Sequence, residues 1–171
     1  MPAWADLLDQ FNAQADDKKG AWLLANQTQA LQAISKLRKD RNVLLYGSAF
    51  LQKPQAPAPT TQITPEDING FMSTLYGMQW DKGLCLVLHT PGGVTNATES
   101  IVAYLRSKFT DLEVIVPAFA MSAGTMISLA SDRIVMGRQS QLGPIDPQFF
   151  FGGRSLSARA VVDQFERAKA E

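Results

Sequence analysis

Apolar residues in the first part of the chain recur at helical spacing. Leu7, Leu8 and Phe11 share one face of a first segment; Leu24, Leu31, Ile34 and Leu37 recur at three- to four-residue spacing in a second. The polar run 16–20 predicts a break between two helices. Residues 42–46 (NVLLY) predict a short strand. Residues 53–63 carry too many prolines for regular structure and read as a mobile surface loop. Thr64-Pro65-Glu66-Asp67 then has the make-up of a helix start, with threonine as cap, proline in the first turn and acids at the positive end of the dipole. That helix is expected to run to about Tyr76.

Beyond it the pattern changes. Residues 84–88 (LCLVL) are continuously apolar, as in a strand covered on both faces, and HTPGG stops the run. Residues 96–109 predict a helix with Ile101, Val102, Leu105 and Phe109 on one stripe. Residues 113–116 predict a second buried strand, 122–131 a helix that begins abruptly after it, and 133–136 a third strand. Residues 143–147 (GPIDP) must turn, and 157–170 return to helix. Strand alternates with helix, so the expected fold is α/β, a parallel sheet under helical cover. The expected division is a helical segment, 1–40, followed by one domain, 41–171. No internal repeat is visible, and the only biased tract is the proline loop.

Composition narrows the function classes. A chain of 171 residues suits one domain with a real core. Sixteen basic residues balance sixteen acidic ones, which leaves no basic footprint for nucleic acid. The longest apolar run falls far short of the roughly 20 residues of a membrane span. The start, MPAWADLLDQ, lacks the basic opening and apolar stretch of a secretory signal. Cys85 is the only cysteine and lies in an apolar run, so it reads as a buried structural thiol. His89 is the only histidine; with scattered acids this makes no ligand cluster, and neither metal nor cofactor is expected. These features together predict a cytoplasmic enzyme or binding domain.

Functional groups in open parallel sheets gather beyond the carboxyl ends of the strands. Two segments leave predicted strands there with small residues: Thr90-Pro91-Gly92-Gly93-Val94 and Ala120-Met121-Ser122-Ala123-Gly124-Thr125. Ser122 sits at a strand-to-helix junction, where a hydroxyl can be pushed into the open beside free N–H groups. A plain helix cap explains the same serine. Gly92 and Gly93 let the backbone present N–H groups without a side chain in the way. Acyl transfer needs two such donors aimed at an oxyanion, and the N–H of Gly93 (or Gly92) with that of Ala123 could form the pair. A tight turn ending a strand explains the same glycines.

Taken in order, LVLHTPGG, a helix, EVIVPAFAMSAGT and DRIVMGRQSQLGPIDPQ resemble the Clp/crotonase superfamily. More narrowly they are similar to the serine dehydrogenase proteinases, related to signal peptide peptidase A and Clp protease subunits. The likeness covers about residues 84–169. It implies a ββα Clp/crotonase fold and a serine peptidase acting through a seryl intermediate. Ser122 falls on the nucleophile, Gly92 and Gly93 on the oxyanion loop, and Ala123 follows the nucleophile. A peptide substrate is expected to lie as an extended strand beside residues 93–95. Relatives also assemble into rings, so a homo-oligomer is expected.

A serine hydroxyl needs a base. The resemblance implies the chain order Ser, Asp, His, and Asp146 is the candidate acid; a turn cap is its structural alternative. No histidine follows Asp146. His89 and Lys169 are the nitrogen bases to consider, the first a part of the oxyanion loop, the second on an amphipathic helix. The chain stops at FERAKAE in mid-helix, where family members run on. A truncated chain, a natural fragment or an inactive relative would each lack the base. Two other readings stay open: a crotonase-like acyl-CoA hydratase or hydrolase, and an inactive assembly module.

Overall fold

The apolar runs that predict strands become one parallel sheet in the computed structural model of the protein, which describes residues 3–146, 148–151 and 154–170. Its strands are β1 (Asn42–Gly47), β2 (Leu84–His89), β3 (Leu112–Val116) and β5 (Arg133–Met136), adjacent in that order. Leu86 lies opposite Leu44 on one side and Val114 on the other. Leu84, Cys85, Leu86 and Leu88 are fully buried, which is why β2 reads as an unbroken apolar run rather than an alternation. The helices α3 (Asp67–Leu75), α4 (Thr95–Lys108) and α5 (Ala123–Leu129) cover the sheet. Phe71, Leu75, Ile101, Leu105, Phe109 and Ile127 join the strand residues in one core. At roughly 1.5–3 kcal/mol for each large apolar side chain buried, this cluster is the main source of stability.

Each of two main strands is followed by a short extended piece and then a helix. After β2, Thr90 bridges to Ala120 and Gly93 to Ile63 before α4 starts. After β3, β4 (Phe119–Ala120) pairs in parallel with β6 (Gln141–Leu142) before α5 starts. The architecture therefore repeats where the sequence does not. A β7 (Gln148–Phe151) and β8 (Arg154–Ser157) hairpin leads into α6 (Ala158–Ala170), so the last helix begins one residue later than expected. Residues 143–146 carry no regular structure, in keeping with the expected turn; Pro147 lies outside the described residues.

Three local expectations change. The first two helices are α1 (Trp4–Asn12) and α2 (Asp16–Leu37), and they part at residues 13–15, not 16–20. The polar run is the opening of α2: Asp16 and Asp17 sit in its first turn, where the dipole favours acids, and Lys19 pairs with Asp16 at 2.6 Å. The loop 53–63 is not all surface. It contains a 3₁₀ turn at Ala58–Thr60, and Ile63 at its end is fully buried and paired with Gly93. Helix α3 starts at Asp67, not Thr64, because Asp67 Oδ2 turns back to accept the Thr64 N–H at 2.7 Å.

Glu113 ties three elements together. It is buried on β3, with Arg38 after α2 donating to Oε1 at 2.6 Å and Arg133 on β5 donating to Oε2 at 2.9 Å. Burial pushes its carboxyl up, but the hydrogen bonds from Arg38 and Arg133 outweigh burial and hold it below its ordinary value. Cys85, its register partner, is pushed up to about 12 by burial and then by the charge of Glu113, so it is a protonated, inert thiol. Asp132 also titrates low, at about 2, held there by Arg106 and the Leu112 N–H.

A carboxyl whose folded pKa is depressed contributes its stability above its ordinary value and loses it as pH falls through the folded value. For Asp132 that window lies between 3.8 and about 2, and the Glu113 contribution fades below 4.5. Arg38→Met leaves Glu113 buried with one cationic partner, Arg133. It is expected to cost about 2–4 kcal/mol at neutral pH in urea denaturation. It should also flatten the acid limb below pH 4.5, since burial then raises the Glu113 carboxyl and its protonation no longer costs the fold stability. An unchanged acid limb would contradict this account of the clamp.

Candidate active site

Thr90 joins the two small-residue segments. Its N–H donates to the Phe119 carbonyl at 2.9 Å, and the Met121 N–H donates to the Thr90 carbonyl at 3.0 Å. This rung lies just beyond β2 and β3, at the carboxyl end of the sheet. It brings the backbone of residues 119–121 alongside the loop that carries Gly92 and Gly93.

The two glycines meet different neighbours. Gly92 has φ +105°, a region that side chains rarely adopt, and a Cβ there would lie 2.7 Å from Ser122 Cβ and 3.2 Å from Ala123 N. A Cβ on Gly93 would collide with the backbone of Ile63. Gly92 thus lets the loop reach Ser122, and Gly93 lets it pair with Ile63. The Gly92 N–H donates to Thr90 Oγ1 at 3.1 Å, and the Gly92 carbonyl accepts from the Ile63 N–H at 2.8 Å. The N–H groups of Gly93 and Ala123 donate to no group among the described residues.

Ser122 adopts φ 49° and ψ −113° at the entry to α5. A non-glycine residue there is strained by about 1–3 kcal/mol. Its side chain makes no capping bond, so it does not behave as a helix cap. Its strain is over-determined by neighbours. Met121 is held on the Thr90 rung, and Met126 N–H donates to the Ser122 carbonyl at 3.1 Å. Gly124 packs where a Cβ would lie 2.5 Å from Thr90 Cγ2. Thr125 Oγ1 donates to the Ala120 carbonyl at 2.7 Å and accepts the Gly143 N–H at 3.0 Å. A Cβ on Gly143 would in turn collide with the Met121 side chain. The S-A-G-T string is therefore a strained turn, a small buried residue, a close contact and a clamp.

The remaining candidates are placed as follows. His89 is half-buried at the end of β2, its ring centroid 5.1 Å from that of Phe50 and 6.1 Å from that of Phe119. Its Nδ1 accepts the Phe119 N–H at 3.4 Å, which leaves the proton on Nε2. Asp146 is exposed, three residues beyond Gly143. Lys169 is exposed on α6 with Nζ 4.9 Å from the Phe165 ring centre, one turn back on its own helix. No nitrogen base lies within hydrogen-bond reach of Ser122 Oγ among the described residues. The extended segment beside the glycines ends at Val94, since Thr95 begins α4. One edge of that segment is already filled, because the Val94 N–H donates to the Ile63 carbonyl at 2.9 Å. The opposite edge, with the N–H and carbonyl of Gly93, is the open one. Thr90, Thr125 and Ile63 escaped sequence reasoning; the only signals were a β-branched hydroxyl at each loop and one isoleucine after the prolines. Among the described residues no helix is long and apolar enough to cross a membrane, and no cluster of His, Cys, Asp or Glu could hold a metal.

The sequence profile of the ClpP-like SDH-type serine proteinases matches residues 23–171. Over 86 residues the chain is 42% and 38% identical to two uncharacterized proteins of Methanocaldococcus jannaschii. Each alignment covers 50% of this chain and 30% of the relative, so the chain spans less than a third of the length of those proteins. Among solved structures it is similar to a serine-to-alanine mutant of the 1510-N membrane-bound stomatin-specific protease. The TM-score is 0.53 and the identity 22%, over 75% of this chain and 60% of that one. That likeness is one of fold, and the parallel sheet with helical cover is of the Clp-like kind.

The strain at Ser122 has a measurable consequence. Ser122→Gly is expected to be more stable than Ser122→Ala by about 1 kcal/mol, because glycine adopts the positive φ without penalty and alanine keeps it. Equal thermal midpoints for the two variants would show that the turn is unstrained.

Proposed function

Since the chain belongs to the ClpP-like SDH-type serine proteinases, we propose that it is the nucleophile-bearing part of a serine peptidase that attacks peptide bonds with Ser122. The observation that carries this reading is the Ser122 backbone at φ 49°, packed against Gly92. A strained turn that exposes a hydroxyl at a helix entry serves nucleophilic attack, whereas a serine that only caps a helix needs no such conformation. The strain also favours a peptidase over a crotonase-like hydratase, which uses the paired N–H groups without a serine nucleophile.

The free N–H groups of Gly93 and Ala123 supply the oxyanion hole. Gly92 contributes space, not a donor, because its N–H is already given to Thr90 Oγ1. As Ser122 Oγ attacks, the carbonyl oxygen of the scissile bond takes up negative charge between these two donors. Each such donor is worth about 10²–10³ in rate. The peptide lies along the open edge of the Gly93 segment, adding a strand there as Ile63 does on the other side.

Asp146 serves as the acid that orients the base. His89 contributes to the framework: its ring is wedged between Phe50 and Phe119, and its Nδ1 is engaged by a backbone N–H. Lys169 is a solvated helix residue in this arrangement. The relatives extend far beyond the aligned stretch, so the activity is to be measured on the full-length protein.

A fluorophosphonate probe tests the proposal. The full-length protein is expected to be labelled on Ser122, and Ser122→Ala to abolish labelling. Wild type that stays unlabelled, or equal labelling of Ser122→Ala, would overturn it. Hydrolysis of an acyl-CoA thioester undiminished in Ser122→Ala would point to the crotonase chemistry instead.

A further inference from the structure

The Gly92–Gly93 peptide is held from both sides. Its carbonyl, on Gly92, accepts from the Ile63 N–H at 2.8 Å. A trans peptide is planar, with C=O and N–H pointing in opposite directions. The Gly93 N–H, which belongs to the same peptide, is therefore turned away from Ile63. The preceding peptide is held as well, since the Gly92 N–H donates to Thr90 Oγ1 at 3.1 Å. Thr90 is fully buried, and its hydroxyl also reaches the Gly92 carbonyl at 3.4 Å. Gly92, with no side chain and φ +105°, would otherwise let this peptide rotate freely.

The two ends of the Thr90 side chain do separate work. Its methyl faces Gly124, where a Cβ would lie 2.5 Å from Cγ2. Its hydroxyl faces the Gly92 loop. Its backbone forms the rung with residues 119 and 121. One residue thus fixes the carrier of one free N–H, the turn of Ser122, and the spacing between them.

We propose that Thr90 is a positioning residue for the reaction: its hydroxyl, working against the Ile63 N–H, keeps the Gly93 N–H aimed at the oxyanion. The inference rests on the reading of Ser122 as nucleophile. It adds that the donor is aimed by a side chain that does not touch the substrate. Thr90→Val keeps the shape and the methyl contact but loses the hydroxyl, whereas Thr90→Ser keeps the hydroxyl and loses the methyl.

Two readouts on the full-length protein test this. The first is amide hydrogen exchange. In the wild type the Gly92 N–H is expected to exchange at least about tenfold more slowly than the Gly93 N–H, and Thr90→Val should erase most of that difference. The second is the second-order rate of fluorophosphonate labelling. It is expected to fall about ten- to a hundredfold in Thr90→Val, short of or up to the loss of a whole donor, and to stay within about threefold in Thr90→Ser. Equal exchange of Gly92 and Gly93 in the wild type would overturn the proposal without any variant. So would a Thr90→Val protein that loses Gly92 protection yet is labelled at the wild-type rate, or a Thr90→Ser protein as slow as Thr90→Val. Absence of wild-type labelling would sink the peptidase reading instead, and the exchange comparison would still decide whether Thr90 holds the loop.

Discussion

Two hydrogen bonds between Thr90 and the 119–121 segment hold the rest of the site in place. They lie beyond the main sheet, where two parallel strands have ended and their backbones would otherwise diverge. By keeping them in register for one more rung, they set the glycine loop against the turn of Ser122. The core supplies the rigidity behind that rung. β2 and β3 are buried on both faces, and α4 and α5, which follow the two loops, pack into the same cluster. A shift of either strand would move the loop and the helix entry together, so the energetics of the core and the geometry of the site are one problem.

Strain at Ser122 makes sense only in that setting. An isolated turn would relax by a rotation of φ. Here the Ser122 carbonyl is committed to α5, Met121 is committed to the rung and to Gly143, and Gly124 is pressed on Thr90. Each of these contacts needs a small residue or a hydroxyl at one position. That is the physical content of the strings T-P-G-G and S-A-G-T. They are strings of close approaches, with the chemistry left to one hydroxyl and to N–H groups that the close approaches leave open.

Much of this was legible in the chain. The unbroken apolar run of residues 84–88 could only be a strand covered twice, and it is. The sequence pairs a glycine loop with a serine turn, each leaving a strand, and in the fold Gly92 packs against Ser122 and Ala123. What stayed hidden was short or non-local. β4 and β6 have two residues each, too few for any period to show. Ile63 looked like the end of a proline-rich loop because its partner is thirty residues away. The polar run at Asp16 read as a break because charge alone does not distinguish a loop from the first turn of a helix. The division of labour between the glycines was also invisible, since it depends on which N–H a threonine side chain takes. The base could not be read from the sequence, and the structure brings neither His89 nor Lys169 to the serine.

The central claim is that Ser122 attacks into a hole lined by two backbone N–H groups. Its most direct test is a crystal structure of the full-length protein after reaction with a phosphonate. The account predicts phosphorus on Ser122 Oγ, with the phosphoryl oxygen within about 3 Å of both Gly93 N and Ala123 N. An adduct whose oxygen points away from these two groups, or one formed on another residue, would contradict it.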